Sequence, residues 1–286
     1  IYRVLSNASF KKLFKVIDRA HEKSGKSKLF LFLDIVNCAF RYGAGYNDYL
    51  IFAFWNMNHR QRSTYVTRLY NKKVILKVND PRYAHIFDNK NEFYERFDKY
   101  LHREWLDMAK IDAAAFDDFV KRHKTVVAKP NDSESGKGIL VVSEGDYTDP
   151  EAEFEELKQK RIGVIEEKLI QHDDMMRLHP ASLNTLRIAT LVTRDGDVQI
   201  AFAGCKIGNK GKFVDNMEND GLYCPIDRET GEINGVAHTS ALVNYEVHPM
   251  TGIRLIGYRI PYVKEALELC KKAALEIPEF RYVGWD

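Results

Sequence analysis

Three groups of residues have types and spacings suited to chemistry on a phosphorylated ligand. The first lies in residues 126–140, where the apolar run Val126-Val127-Ala128 ends in Lys129 and opens into a small-residue loop. Gly136 and Gly138 have no Cβ, so the backbone there can turn successive N–H groups toward an anion, and Ser133 and Ser135 add hydroxyl donors. Lys129 and Lys137 put positive charge at the two ends, which suits a polyphosphate, although an ordinary polar hairpin has the same composition. Neither a GK[ST] ending nor G-x-G-x-x-G spacing occurs, so the segment is not a P-loop or a dinucleotide fingerprint.

The second group is Glu166-Glu167-Lys168, which follows the apolar pair Val164-Ile165. A strand ending in paired carboxylates at a linker offers backbone donors and acceptors together with acids, able to read a nucleobase edge and a ribose hydroxyl. A solvated Glu-Glu-Lys cluster fits the same residues.

The third group emerges from a hairpin. Residues 185–193 and 198–206 read as strands joined at Asp195-Gly196, a two-residue turn signal. If Arg194 pairs with Asp197, Arg187 falls opposite Gly204 and Thr185 opposite Lys206. Arg187 and Lys206 are then diagonal neighbours at the basic end of a face otherwise holding Ala189, Leu191, Ile200 and Phe202. Two cations so placed need an acidic partner or an anionic ligand to offset desolvation.

The elements that must position these groups follow from periodicity. Residues 126–128 and 139–142 read as the two strands flanking the first loop. Ser9 caps a helix with Phe10, Leu13, Phe14, Ile17 and Ala20 at helical spacing, which Gly25 ends; a second helix covers residues 29–42. Tyr46, Tyr49, Phe52 and Trp55 form a core stripe, and residues 60–70 continue as a polar helix. Residues 72–79 read as a short strand or loop, Lys90 sits near the start of a helix, and residues 112–122 form a helix feeding the strand that ends at Lys129. Pro150 opens an acidic helix, Pro261 opens another, and residues 280–286 alternate so that Tyr282, Gly284 and Asp286 share one face.

The whole chain sets limits. At 286 residues and 45% hydrophobic content it can bury a sizeable core, and a net charge of +2 with acids and bases interspersed argues against nucleic acid as the main partner. Cys38, Cys205, Cys224 and Cys270 lack C-x-x-C spacing, so neither a zinc site nor a disulfide framework follows, and a reducing cytoplasmic setting is expected. The longest apolar run, residues 29–36, carries Asp34 and is far shorter than the roughly 20 residues of a membrane span. Oligomeric state is not readable, although the aromatic N-terminal helices could form an interface.

Taken in order, Lys90, the Lys129–Gly138 loop, Glu166-Glu167-Lys168, the strand Ser182-Leu183-Asn184-Thr185-Leu186-Arg187 and Gly284-Trp285-Asp286 resemble ATP-grasp enzymes. His179-Pro180-Ala181-Ser182-Leu183-Asn184-Thr185-Leu186-Arg187 and the later Val214-Asp215-Asn216 look like the sugar-transfer-associated ATP-grasp family, linked with exopolysaccharide assembly. The resemblance implies an α+β ATP-grasp fold in which two α+β subdomains, residues 81–178 and 179–286, clamp ATP behind a helical N-terminal extension over residues 1–80.

By that resemblance Lys129 and Lys90 contact phosphates, and Ser133, Ser135, Gly136 and Gly138 form a lid. Glu166, Glu167 and Lys168 form the adenine hinge, and Asp174 holds the ribose. Arg187 and Lys206 act near the transferred phosphoryl group, while Ser182, Asn184, Asp215 and Asn216 face the substrates. Asp286 matches one magnesium ligand. The family's Glu-x-Asn pair would follow on a further strand, so natural residues are expected beyond Asp286, and before Ile1. The implied activity is an ATP- and Mg2+-dependent ligase that joins a carboxylate, sugar-linked in some cases, to a nucleophile through an acylphosphate. A kinase acting on a hydroxyl, or a non-catalytic nucleotide-binding partner of a glycosyltransferase, would use the same fold.

Overall fold

A computed structural model of the protein describes residues 10–133, 136–211, 215–217 and 220–286. The chain divides into two compact units, residues 1–79 and 80–286.

The first unit is helical. Helix α1 (Phe10–Ser24) buries Leu13, Val16, Ile17 and Ala20, and α2 (Lys28–Tyr42) buries Leu31, Ile35 and Cys38. Ser27 caps α2 by accepting from Phe30 N at 3.3 Å. Gly43 ends it at φ +62°, where a Cβ would also lie 2.9 Å from Leu69 Cβ. Helices α3 (Tyr46–Ile51), α4 (His59–Arg62) and α5 (Arg68–Val78) follow. Residues 72–79, read from sequence as strand or loop, belong mostly to α5. Val74, Ile75 and Val78 look strand-like, but Leu76 and Lys77 between them are good helix formers, and α5 has no buried residue to enforce alternation.

At the centre of this unit the carboxylate of Asp34 receives both terminal nitrogens of Arg62, at 2.7 and 2.8 Å, and the hydroxyl of Tyr49 at 2.8 Å. Arg62 also donates to the Phe54 carbonyl. Burial, with Asp34 nearby, pushes the Cys38 thiol up to about 11.

The second unit begins with α6 (Ala84–Asp88) and α7 (Lys90–Leu101), then β1 (Trp105–Asp107), α8 (Ala113–His123), β2 (Thr125–Pro130), β3 (Leu140–Ser143), α9 (Pro150–Gln159) and β4 (Ile162–Glu167). The strands form an antiparallel sheet in the order β1-β4-β2-β3. Its two faces alternate up to an irregularity at Lys129/Pro130. Val126, Ala128 and Ile165 pack with Phe116 and Phe119 of α8 and Phe154 of α9, whereas Val127, paired with Glu166, shows the opposite face.

After α10 (Asp173–Leu178) come β5 (Thr185–Val192), β6 (Val198–Ile207), β7 (Leu222–Pro225), β8 (Ala237–His238), β9 (Asn244–Tyr245), α11 (Val263–Ala274) and β10 (Tyr282–Trp285). They build a second antiparallel sheet, β10-β5-β6-β7-β8-β9. One core joins Leu267 of α11 to Ile188, Cys205, Leu222 and Cys224. The mixed α+β architecture with a helical N-terminal region matches the fold class read from sequence.

The β5–β6 hairpin shows how a right register can follow from a wrong turn. Val192 pairs with Val198, and Thr193 N donates to Asp197 O, so the turn holds Arg194, Asp195 and Gly196 rather than two residues. A bulge between Ala189 and Thr190 then restores the frame, and Thr185 and Arg187 face Lys206 and Gly204 as the simple hairpin predicts. Beyond the bulge the pairs differ: Leu191 meets Gln199.

Removing Asp34 leaves the Arg62 guanidinium buried without its carboxylate, so Asp34→Ala is expected to lose about 3–5 kcal/mol from the first unit. Urea denaturation followed by far-UV circular dichroism checks this, and a loss below ~1 kcal/mol would show that solvent reaches the pair.

Candidate functional site

The cleft of the second unit is a cavity of about 730 Å³ whose wall on one side is the inner face of the first sheet. Lys129 at the end of β2 sits diagonally from Glu166 on β4, and their Nζ–Oε1 distance is 2.5 Å. Glu166 is 4% exposed. Its other oxygen accepts from Arg103 Nε at 2.9 Å and from the Tyr94 hydroxyl. Arg103 and Lys129 also donate to that hydroxyl, at 2.9 and 3.1 Å. The carboxylate is therefore compensated three times over, from β2, from α7 and from the residues before β1.

The second sheet supplies the opposite wall. Thr185, Lys206, Tyr223 and His238 are paired in one row across β5 to β8, and Arg187 lies beside that row on the same face. Asp286, just past β10, takes Lys206 Nζ at 2.8 Å and Arg187 Nε at 3.0 Å on one oxygen. The acidic partner demanded by two adjacent cations is thus Asp286. Asp215 accepts from Thr185 N at 3.0 Å and Thr185 Oγ1 at 2.6 Å. Burial holds its carboxyl above the usual range, against the pull of Lys206 and of those hydrogen bonds.

The linker between the sheets is apolar where it meets the cavity. Leu169, Ile170, Met176 and Leu183 line it while remaining open to solvent, Ile170 at 89%. Large apolar side chains left wet inside a cleft are a surface suited to the apolar part of a ligand.

Most of the residues read from sequence converge here. Lys129, Gly136, Glu166 and Lys168 line the cavity from the first sheet and its loop, and Ser182, Lys206, Asp215, Asn216 and Asp286 from the second. Arg187 reaches it through Asp286.

Others do not. Lys90 Nζ donates to the carbonyl of Ser133 at 2.5 Å, so it braces the base of the loop, while Ser133 Oγ turns back to the Pro130 carbonyl at 3.4 Å. Gly138 is needed for the turn, at φ +71°, where a Cβ would come 2.9 Å from Pro130 Cγ. Glu167 projects from the other face of β4 toward His123. Period-2 alternation turns adjacent strand acids to opposite faces, so of the pair only the Glu166 side chain lines the cavity. Asp174 lies in a separate depression beside His172 and Arg177. Ser135 and Val214 lie outside the described residues. Asn184 is buried behind the cavity, donating to Gln171, Met175 and His179 and accepting from Gly208 N at 2.9 Å. It fixes the chain that enters β5.

Tyr94, Arg103 and Tyr223 carry no signal in the sequence, because each reaches the site from a segment with no motif of its own. Gly204 makes room for Tyr223, since a Cβ there would lie 2.2 Å from the Tyr223 hydroxyl.

Residues 69–286 match the family of sugar-transfer associated ATP-grasp proteins. The chain belongs to that family. A search of curated proteins finds no match. ATP-grasp proteins bind ATP, in general with Mg2+, and most are ligases or kinases; the cations converging on this cleft suit such a ligand.

Behind Ser182 lie two buried imidazoles with ring centroids 5.9 Å apart. His179 Nδ1 is 2.9 Å from Ser182 Oγ, and His248 Nε2 is 2.9 Å from the Gly208 carbonyl. Burial lowers both pKa values from 6.5, with His248 adding to the effect on His179. Each ring binds its proton less tightly folded than unfolded. Their contribution to stability is therefore intact above the ordinary histidine range and is lost as pH falls through it. His248→Gln keeps a donor for Gly208, and its stability is expected to fall less between pH 7 and 5 than the wild type's, by up to ~1.4 kcal/mol per pH unit. Parallel pH profiles from chemical denaturation would contradict this.

Proposed function

We propose that the protein is an ATP-dependent ligase in which a carboxylate attacks the γ-phosphate of ATP and the resulting acylphosphate passes to an amine or another nucleophile. The observation that carries this reading is the meeting of cations from both sheets, Lys129 and Lys168 on one side and Lys206 with Arg187 on the other, at one 730 Å³ cleft.

The adenine ring occupies the apolar linker surface between Leu169, Ile170 and Leu183, with the backbone at Lys168 beside its edge. Lys129 moves from Glu166 to the α- and β-phosphates. The buried Glu166 keeps Arg103 and Tyr94 when Lys129 leaves, so the exchange does not strand a desolvated carboxylate. The loop containing Gly136 covers the phosphates and excludes water. At the far end Arg187, whose planar fork suits two oxygens at once, and Lys206 neutralise charge gathering on the γ-phosphoryl group. Asp286 would hold a magnesium ion, which when bound shields the β- and γ-phosphates. Among the described residues no group of three or more His, Cys, Asp or Glu side chains gathers to cage a metal, so Asp286 is the residue here that would hold it.

Carboxylate activation is favoured over phosphorylation of a hydroxyl because of the state of the cleft acids. Glu166, Asp215 and Asp286 are each tied to cations or to Thr185. None is a ready base for an alcohol, and a substrate carboxylate, already an anion, needs none. Tyr223 and His238 continue the row outward from Lys206 and form the shelf along which the acceptor approaches. The family's association with sugar transfer supports a sugar-linked acceptor in polysaccharide assembly.

Incubation with MgATP, a panel of carboxylates and hydroxylamine is expected to yield ADP and a hydroxamate together. ADP release with a phosphorylated alcohol and no hydroxamate would overturn the ligase assignment in favour of a kinase. In the same assay Lys129→Ala is expected to weaken ATP binding by at least about tenfold, as loss of a charge-assisted bond to phosphate implies. Arg187→Ala is expected to lower kcat by about 10²-fold with little change in nucleotide affinity. Titration calorimetry set beside the turnover measurements separates the two, and equal ATP affinity in Lys129→Ala and wild type would refute the phosphate role.

A further inference from the structure

The near-neutral total charge conceals a division. Residues 1–79 hold fifteen Lys and Arg against four Asp and Glu, a formal net charge of +11, while residues 80–286 hold 28 against 37, or −9. The sequence looks interspersed only when the chain is taken whole.

The basic unit also leaves an apolar face uncovered. On α2 the buried residues Leu31, Ile35 and Cys38 occupy one side. Leu29, Leu33, Val36 and Phe40 follow each other at spacings of four, three and four on the opposite side. Leu29 is 70% exposed, Leu33 59% and Phe40 55%. On α1 Phe14 is 59% exposed, and the exposed Lys11 and Lys15 stand next to Phe10 and Phe14 in the chain. Scattered exposed apolar residues are ordinary, but a helix with apolar residues on both sides has a second surface to bury.

We infer that the helical unit docks on an anionic lipid surface, with the Leu29, Leu33 and Phe40 side of α2 lying in the headgroup region and the lysines of α1 against the lipid phosphates. Charge complementarity selects this occupant. A second copy presenting the same face would set +11 against +11, and nucleic acid would answer the charge while leaving the leucines and Phe40 in water. Neither helix is long and apolar enough to cross a bilayer, so the surface lies on the membrane.

Flotation of the protein with vesicles of phosphatidylcholine, with and without about 30 mol% phosphatidylglycerol, reads this directly. Binding to the anionic vesicles is expected, weakened at least about tenfold by Leu33→Glu with Phe40→Glu, because both hydrophobic anchors are lost. Both positions are exposed, so the thermal melt should be unchanged. Should that variant fail to fold, Lys11→Gln with Lys15→Gln carries the test through a shallower salt dependence of binding. The inference is overturned if the wild type ignores anionic vesicles or if the double glutamate variant binds them as well as wild type does. It is equally overturned if light scattering shows a dimer that this variant dissociates, or if a duplex oligonucleotide binds and Leu33→Glu with Phe40→Glu leaves that binding intact.

Discussion

Arg187 and Lys206 cannot sit side by side on a half-buried sheet face without an anion between them, and much of the second unit follows from how that demand is met. Asp286 supplies the anion in the free protein, and it can do so only because β10 pairs with β5 and brings Gly284 opposite Ala189. The neighbouring glycine matters as well, since a Cβ at Gly284 would lie 3.1 Å from the Arg187 guanidinium. A phosphate brought to the same place would meet cations already aimed, Lys206 at only 10% side-chain exposure and Arg187 at 38%, so little reorganisation would be needed when charge shifts.

The same logic governs the other wall with the signs reversed. Glu166 is a buried acid surrounded by Lys129, Arg103 and Tyr94. Three partners are more than one carboxylate requires, and the excess makes Lys129 expendable to the resting site. The two walls therefore differ in kind: one holds two cations with a single carboxylate, the other holds one carboxylate with two cations and a tyrosine hydroxyl. Between them the exposed Leu169 and Ile170 leave an apolar surface for the uncharged part of the ligand.

Legibility in the sequence tracked the range of the interaction. The Lys129 strand, the β5–β6 register and the Arg187–Lys206 pair were readable because alternation and a hairpin tie together residues close in the chain. The hairpin reading survived a misplaced turn only because the bulge at Ala189/Thr190 compensated for it. Helix α5 is obscured in the sequence because its β-branched residues suggest a strand and no buried face corrects them. Within the site, Glu167 shows the limit of adjacency as a clue, since neighbouring strand residues face opposite ways. Asp174 shows the limit of order along the chain, since a short helix turned it out of the cleft. Arg103, Tyr94 and Tyr223 were invisible because their partners lie on distant segments, and the charge division between the units was hidden by a total near zero.

The proposed chemistry requires ATP to place its phosphates in this cleft. Labelling with an ATP analogue that carries a lysine-reactive acyl phosphate, followed by peptide mass spectrometry, tests that claim most directly. Acylation confined to Lys129, Lys206 or Lys168 and suppressed by excess ATP is the expected result. Labelling that spares all three, or that ATP fails to suppress, would contradict it.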